Sequence, residues 1–62
     1  MLTTLREFVS FLNNCEDIQT DAYYCFELEC SDELRDQIYS LADVDSSEPF
    51  RSAMHKLGFT EY

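Results

Sequence analysis

Between Glu16 and Glu48 the chain carries eleven of its thirteen acidic side chains: Glu16, Asp17, Asp21, Glu27, Glu29, Asp32, Glu33, Asp36, Asp43, Asp45 and Glu48. A single base, Arg35, stands among them. Like charges held this close repel, which destabilises any compact state and demands an outer surface to carry them. The chain has 62 residues, enough for one small domain spanning residues 1–62. A fold of this size buries only about 60% of the surface its unfolded chain exposes. A deep substrate cavity with its own supporting shell does not fit, so the expectation is a surface that binds, not a pocket that catalyses.

A formal charge of −9 is also the mark of chains that never collapse, and composition decides against that here. Hydrophobic residues make up 45% and aromatics 15%, while one glycine and one proline exclude linker-like and low-complexity readings. No apolar run approaches the roughly 18 residues of a membrane span. Arg6 and Glu7 interrupt the N-terminal stretch where a signal peptide would be apolar throughout. Cys15, Cys25 and Cys30 are an odd number in a chain read as leaderless, which fits a reducing cytoplasm better than a disulfide framework. They include no closely spaced pair to close a zinc knuckle with His55, so neither metal nor cofactor is expected. A Cys25–Cys30 disulfide is excluded if both lie on one extended segment, which would hold them too far apart.

Thr4 followed by Glu7 is a capping-box pattern, and Leu5, Phe8, Val9 and Leu12 recur at helical spacing, predicting a first helix over Leu5 to Asn13. Polar residues from Glu16 to Asp21 read as a connection. Residues 23–30, YYCFELEC, alternate: Tyr24, Phe26, Leu28 and Cys30 on one side, Glu27 and Glu29 on the other. That pattern predicts a half-buried strand with an acidic outer face. A helical reading competes, because Tyr23, Phe26, Cys30, Leu34, Ile38 and Leu41 form a stripe if residues 22–43 wind as one long helix. It places Glu27 in the stripe and Leu28 outside it, so the strand is preferred.

Ser31 suits the N-cap of a second helix, with Leu34, Ile38, Leu41 and Ala42 inward and an end near Val44. Pro49 opens a third, carrying Phe50, Ala53, Met54 and Leu57, and Gly58 closes it. Phe59 to Tyr62 read as a candidate short strand. The expected fold is therefore α+β: an N-terminal helix, one main strand, two further helices and that C-terminal strand. A strand must pair with something, and if the tail is too short the partner is a second copy, giving a homodimer.

For chemistry the chain offers little. His55 is the only histidine, no glycine-rich turn exists to hold phosphate, and Asp43 with Asp45 is a fragment of a calcium loop. The expectation is no enzyme. The acids carry the information: Asp32, Asp36 and Asp43 fall near one line of the second helix with Glu33 close by, and Glu27 and Glu29 share the outer side of the strand. Direct contact with nucleic acid is excluded, since phosphate binding rests on Lys and Arg. A basic nucleic-acid-binding protein or ribonucleoprotein complex is the fitting partner. The partner-binding candidates are Glu27, Glu29, Asp32, Glu33, Asp36, Asp43, Asp45 and Tyr39, with Tyr23 and Tyr62 as further aromatic anchors. A solvated face serving only solubility is the plainer alternative.

In size, acidity and lack of enzymatic motifs the whole chain resembles small phage-encoded anti-defence proteins, such as anti-CRISPR proteins and DNA-mimicking restriction inhibitors. The resemblance implies a non-enzymatic inhibitor of a defence complex and assigns no residue roles. The stretch from Phe26 to Leu57, FELECSDEL with IYSLAD and SSEPFRSAMHKL, is also similar to ribbon-helix-helix proteins, whose paired strands read DNA from a dimer. Here Glu27 and Glu29 would face phosphates, which the DNA-reading role does not allow. The second functional expectation is a small dimeric, antitoxin-like or regulatory interaction module.

Overall fold

Side-chain caps decide where three of the four helices begin. In the computed structural model, which describes residues 1–62, the elements are α1 (Leu5–Asn13), α2 (Ile18–Glu29), α3 (Asp32–Ser40) and α4 (Pro49–Lys56). At α1 the Glu7 N–H donates to Thr4 Oγ1 at 3.1 Å, and the Thr4 N–H donates to the Glu7 carboxylate at 3.0 Å, completing the capping box. At α2 the Thr20 N–H donates to Asp17 at 3.2 Å, and at α3 the Leu34 N–H donates to Ser31 Oγ at 3.1 Å. Helix α4 lacks a side-chain cap and starts on Pro49, which has no N–H to satisfy. Its end is a Schellman turn: Gly58 sits at φ 102°, its N–H donates to His55 O at 3.0 Å, and the Phe59 N–H donates to Met54 O at 2.9 Å.

The fold is all-helical, which overturns the α+β expectation. Residues 23–30, expected as a strand, belong to α2. The Asp17 cap starts the helix upstream, and a helix satisfies its own N–H and C=O groups, whereas a lone strand would need a neighbour. The tail supplies none: Phe59 to Tyr62 turns back on itself, the Tyr62 N–H donating to Phe59 O at 3.2 Å. The one extended pairing is an isolated parallel bridge between Leu2 and Cys30, made by Leu2 N–H to Glu29 O at 2.6 Å and Ser31 N–H to Leu2 O at 2.8 Å. Cys30 itself is extended, at φ −96° and ψ 145°, so residues 22–43 are not one long helix either. With the strand gone, strand pairing gives no ground for a homodimer, and the ribbon of a ribbon-helix-helix protein is missing.

Each helix has about two or three turns, a length that is marginal in isolation, and tertiary packing must hold it. Phe8 and Leu12 of α1, Ala22, Cys25 and Phe26 of α2, Leu34 and Ile38 of α3, and Phe50, Ala53 and Met54 of α4 form one buried cluster. Helix α3 ends at Ser40, short of the Val44 expected. Beyond it Asp43 is tied to α4: its N–H donates to Ser52 Oγ at 2.8 Å, and Lys56 Nζ lies 3.0 Å from its carboxylate. These contacts hold the chain in a turn where local propensity would have continued the helix. No helix is long and apolar enough to cross a membrane.

Candidate functional site

The corner between α2 and α3 brings acids and tyrosines to one surface. Tyr23 of α2 and Tyr39 of α3 both rest on the buried Phe26, with ring centroids 5.8 Å and 5.0 Å away, and Tyr23 also meets Phe50 edge-on at 5.2 Å. Packing fixes the rings while leaving the residues 44% and 42% exposed, respectively. Rigid aromatics with a wet polar end suit a protein interface. The Glu27 carboxylate, through a hydrogen bond and its charge, pushes the Tyr23 phenol up to about 12; burial and Tyr39 add to the shift. Glu27, Tyr23 and Tyr39 thus form one contact group.

Arg35 is the only basic side chain in this corner, and it is engaged within the fold. Nη1 donates to the carbonyl oxygens of Cys30 at 3.0 Å and Glu27 at 3.2 Å, and Nη2 pairs with Asp32. Asp36 lies one turn beyond Asp32 on the exposed side of α3. Asp32, Asp36 and Tyr39 share one stripe of α3 and Glu27 stands one turn from Tyr23 on α2, so with Asp32 paired to Arg35 the carboxylates left without a cation beside the tyrosines are Glu27 and Asp36.

The other expected residues are placed elsewhere. Two positions apart on a helix is about 200°, so Glu29 is turned away from Glu27 and lines a shallow groove with Phe11, Cys15 and Tyr24. Glu33 is exposed about 100° round α3 from Asp32. Asp43 lies in the α3–α4 turn and is paired with Lys56, so it does not extend the line of Asp32 and Asp36. Asp45 is exposed in that same turn. Tyr62 is half-buried against Phe50, with ring centroids 5.4 Å apart, and is part of the packing more than a free anchor.

Two features escaped the sequence reading. One is the closure of α2 by Arg35, which needs the turn at Cys30. The other is an exposed apolar patch of Phe11, Tyr24 and Leu28, since a strand would have turned Tyr24 and Leu28 inward. A signal for the second was present: Tyr24 and Leu28 are four apart, neighbours only if the segment is helical.

Cys25 and Cys30 adjoin in the core, so the extended-segment argument against their pairing does not apply, and both are free thiols. Burial is the main cause of the raised pKa at each, pushing Cys25 up to about 12. No three His, Cys, Asp or Glu side chains are grouped to hold a metal ion. His55 is exposed on α4, in a polar cleft where Asp43 offsets Lys56 and Glu48 lies 4.0 Å from Arg51. No protein-family model, curated protein or solved structure matches the chain. Fold and surface together define a small four-helix domain whose distinctive feature is an acidic, tyrosine-bearing corner.

Proposed function

We propose that the protein is a non-enzymatic inhibitor, acting in the bacterial cytoplasm, that lays its α2–α3 corner over a basic nucleic-acid-binding surface of a defence complex. Anti-CRISPR and anti-restriction proteins of the DNA-mimic kind are the class in view. The observation that carries this is the face itself: Glu27 and Asp36, which have no cationic partner, stand beside Tyr23 and Tyr39, and the one basic side chain nearby, Arg35, is held by backbone carbonyls and Asp32. Carboxylates so arranged offer a phosphate-binding groove the negative charges it was built for, and steer association at long range. The tyrosines add the apolar anchors that exposed charge alone lacks. Such a protein occupies the groove and excludes the nucleic acid without doing chemistry.

The test is capture from a bacterial lysate on the immobilised chain at low and high salt, with single-stranded and duplex oligonucleotides added as competitors. A nucleic-acid-binding protein retained at low salt and displaced by an oligonucleotide supports the reading. Capture that oligonucleotides leave untouched, or of a protein with no nucleic-acid-binding surface, overturns it.

A further inference from the structure

Helix α2 exposes apolar side chains where an amphipathic helix would place polar ones. Tyr24 and Leu28 stand 66% and 62% exposed, one turn apart on the same side, and Phe11 of α1 lines a groove with Tyr24. Phe11 is itself 40% exposed. The surroundings are acidic: Asp21 and Glu29 line the same groove. No Lys or Arg lines it, since Arg6 lies on another side of α1, with Leu5 and Val9.

That combination sets what can sit there. A second copy would bring the same carboxylates against themselves on a chain already at −9, so self-association is opposed. A partner must bring apolar side chains at one-turn spacing and positive charges beside them, which is the pattern of a basic amphipathic helix. We propose that the α1–α2 groove docks a basic amphipathic helix of a partner protein. Phe11, Tyr24 and Leu28 receive its apolar residues, and Asp21 and Glu29 receive its lysines or arginines. The groove lies on a different face from the α2–α3 corner, and either site can fail alone.

The experiment titrates the full chain, followed by its backbone amide NMR signals, with synthetic peptides. The probes are a leucine–lysine amphipathic helix, a leucine–glutamate helix with the same apolar face, and a serine–lysine peptide of equal charge. Saturable binding of the leucine–lysine peptide alone is expected, with shifts centred on Phe11, Tyr24 and Leu28. Leu28→Lys and Tyr24→Lys should each weaken it by about tenfold or more with far-UV circular dichroism unchanged, while Glu61→Lys, outside both surfaces, should not. Leu28→Ser serves if a lysine disturbs folding. Equal binding of the serine–lysine or leucine–glutamate peptide overturns the proposal, as do shifts centred on α3. Sedimentation showing the chain self-associating in a Leu28-dependent way overturns it too.

Discussion

Arg35 Nη1 donates to the Cys30 carbonyl at 3.0 Å, so a side chain of α3 closes the C-terminal end of α2. The same nitrogen reaches Glu27 O at 3.2 Å, putting a positive charge where the dipole of α2 leaves unpaired carbonyls. Arg35→Gln should therefore lower stability by about 1–2 kcal/mol, the low end for hydrogen bonds to a charged group because the guanidinium is partly exposed. Arg35→Lys should restore only part, because one ammonium cannot reproduce the planar fork. Urea melts followed by circular dichroism check this. A midpoint unchanged in Arg35→Gln would show that the corner holds without the guanidinium.

At the other end of the chain the capping box predicts a pH effect of defined sign. Hydrogen bonds from Thr3 and Thr4 hold the Glu7 carboxyl below its ordinary value of 4.5. A group depressed in the fold contributes stability that is complete above its unfolded pKa and disappears as pH falls through the folded one. The Glu7 contribution is thus full above about 4.5 and lost on further acidification. Thr4→Ala should cost about 1 kcal/mol at neutral pH. Glu7→Gln should flatten the acid limb, and carboxyl NMR titration should find Glu7 below 4.5.

Burial of Cys25 reverses that sign at alkaline pH. The side chain is 1% exposed, and its thiol is pushed up to about 12 from 9.0, chiefly by desolvation and then by Cys30. The unfolded chain ionises near pH 9 while the folded one stays neutral, so stability is full below 9 and falls between 9 and 12. Tyr23, pushed from 10.0 to about 12, adds to the same limb. Cys25→Ala should flatten it. An aromatic disulfide reagent at pH 8 should label Cys15, which is half-buried, before Cys25 and Cys30. Labelling of Cys25 at the rate of a free thiol would contradict the buried placement.

The sequence made α1 legible through Thr4, Glu7 and the stripe of Leu5, Phe8 and Leu12, and it marked Ser31, Pro49 and Gly58 as helix boundaries. It failed at α2 for a physical reason. With Tyr23, Tyr24, Phe26 and Leu28 in one run, apolar residues occur on every side of the helix, so alternation fits as well as the helical period. The start at Asp17 was hidden in a polar stretch that read as a connection. The same error misplaced the site. On a strand Glu27 and Glu29 share a face; on a helix they part, and Tyr24 and Leu28 surface instead. The acids were legible in kind, while their grouping depended on a turn at Cys30 and on the salt bridge that draws Asp43 to Lys56.

Salt should act on folding and on binding with opposite signs. The chain carries −9 with its acids exposed, so mutual repulsion opposes the compact state, and screening over about 8 Å at physiological ionic strength relieves it. The melting temperature should rise as salt is added, and affinity for a basic partner should fall. Asp36→Lys separates the two in one protein: Asp36 is exposed and takes no part in an ion pair, so reversing it should leave stability equal or raised by about 0.5 kcal/mol or less. The same change should weaken binding by about 1 kcal/mol or less, chiefly through slower association, and combining it with Glu27→Lys should weaken it further. Both effects are read by calorimetric melting of the free variants and by association kinetics against the protein captured from lysate. If the double variant is stable and binds unchanged while Tyr39→Ala abolishes binding, the carboxylates serve solubility alone and the corner works through its tyrosines.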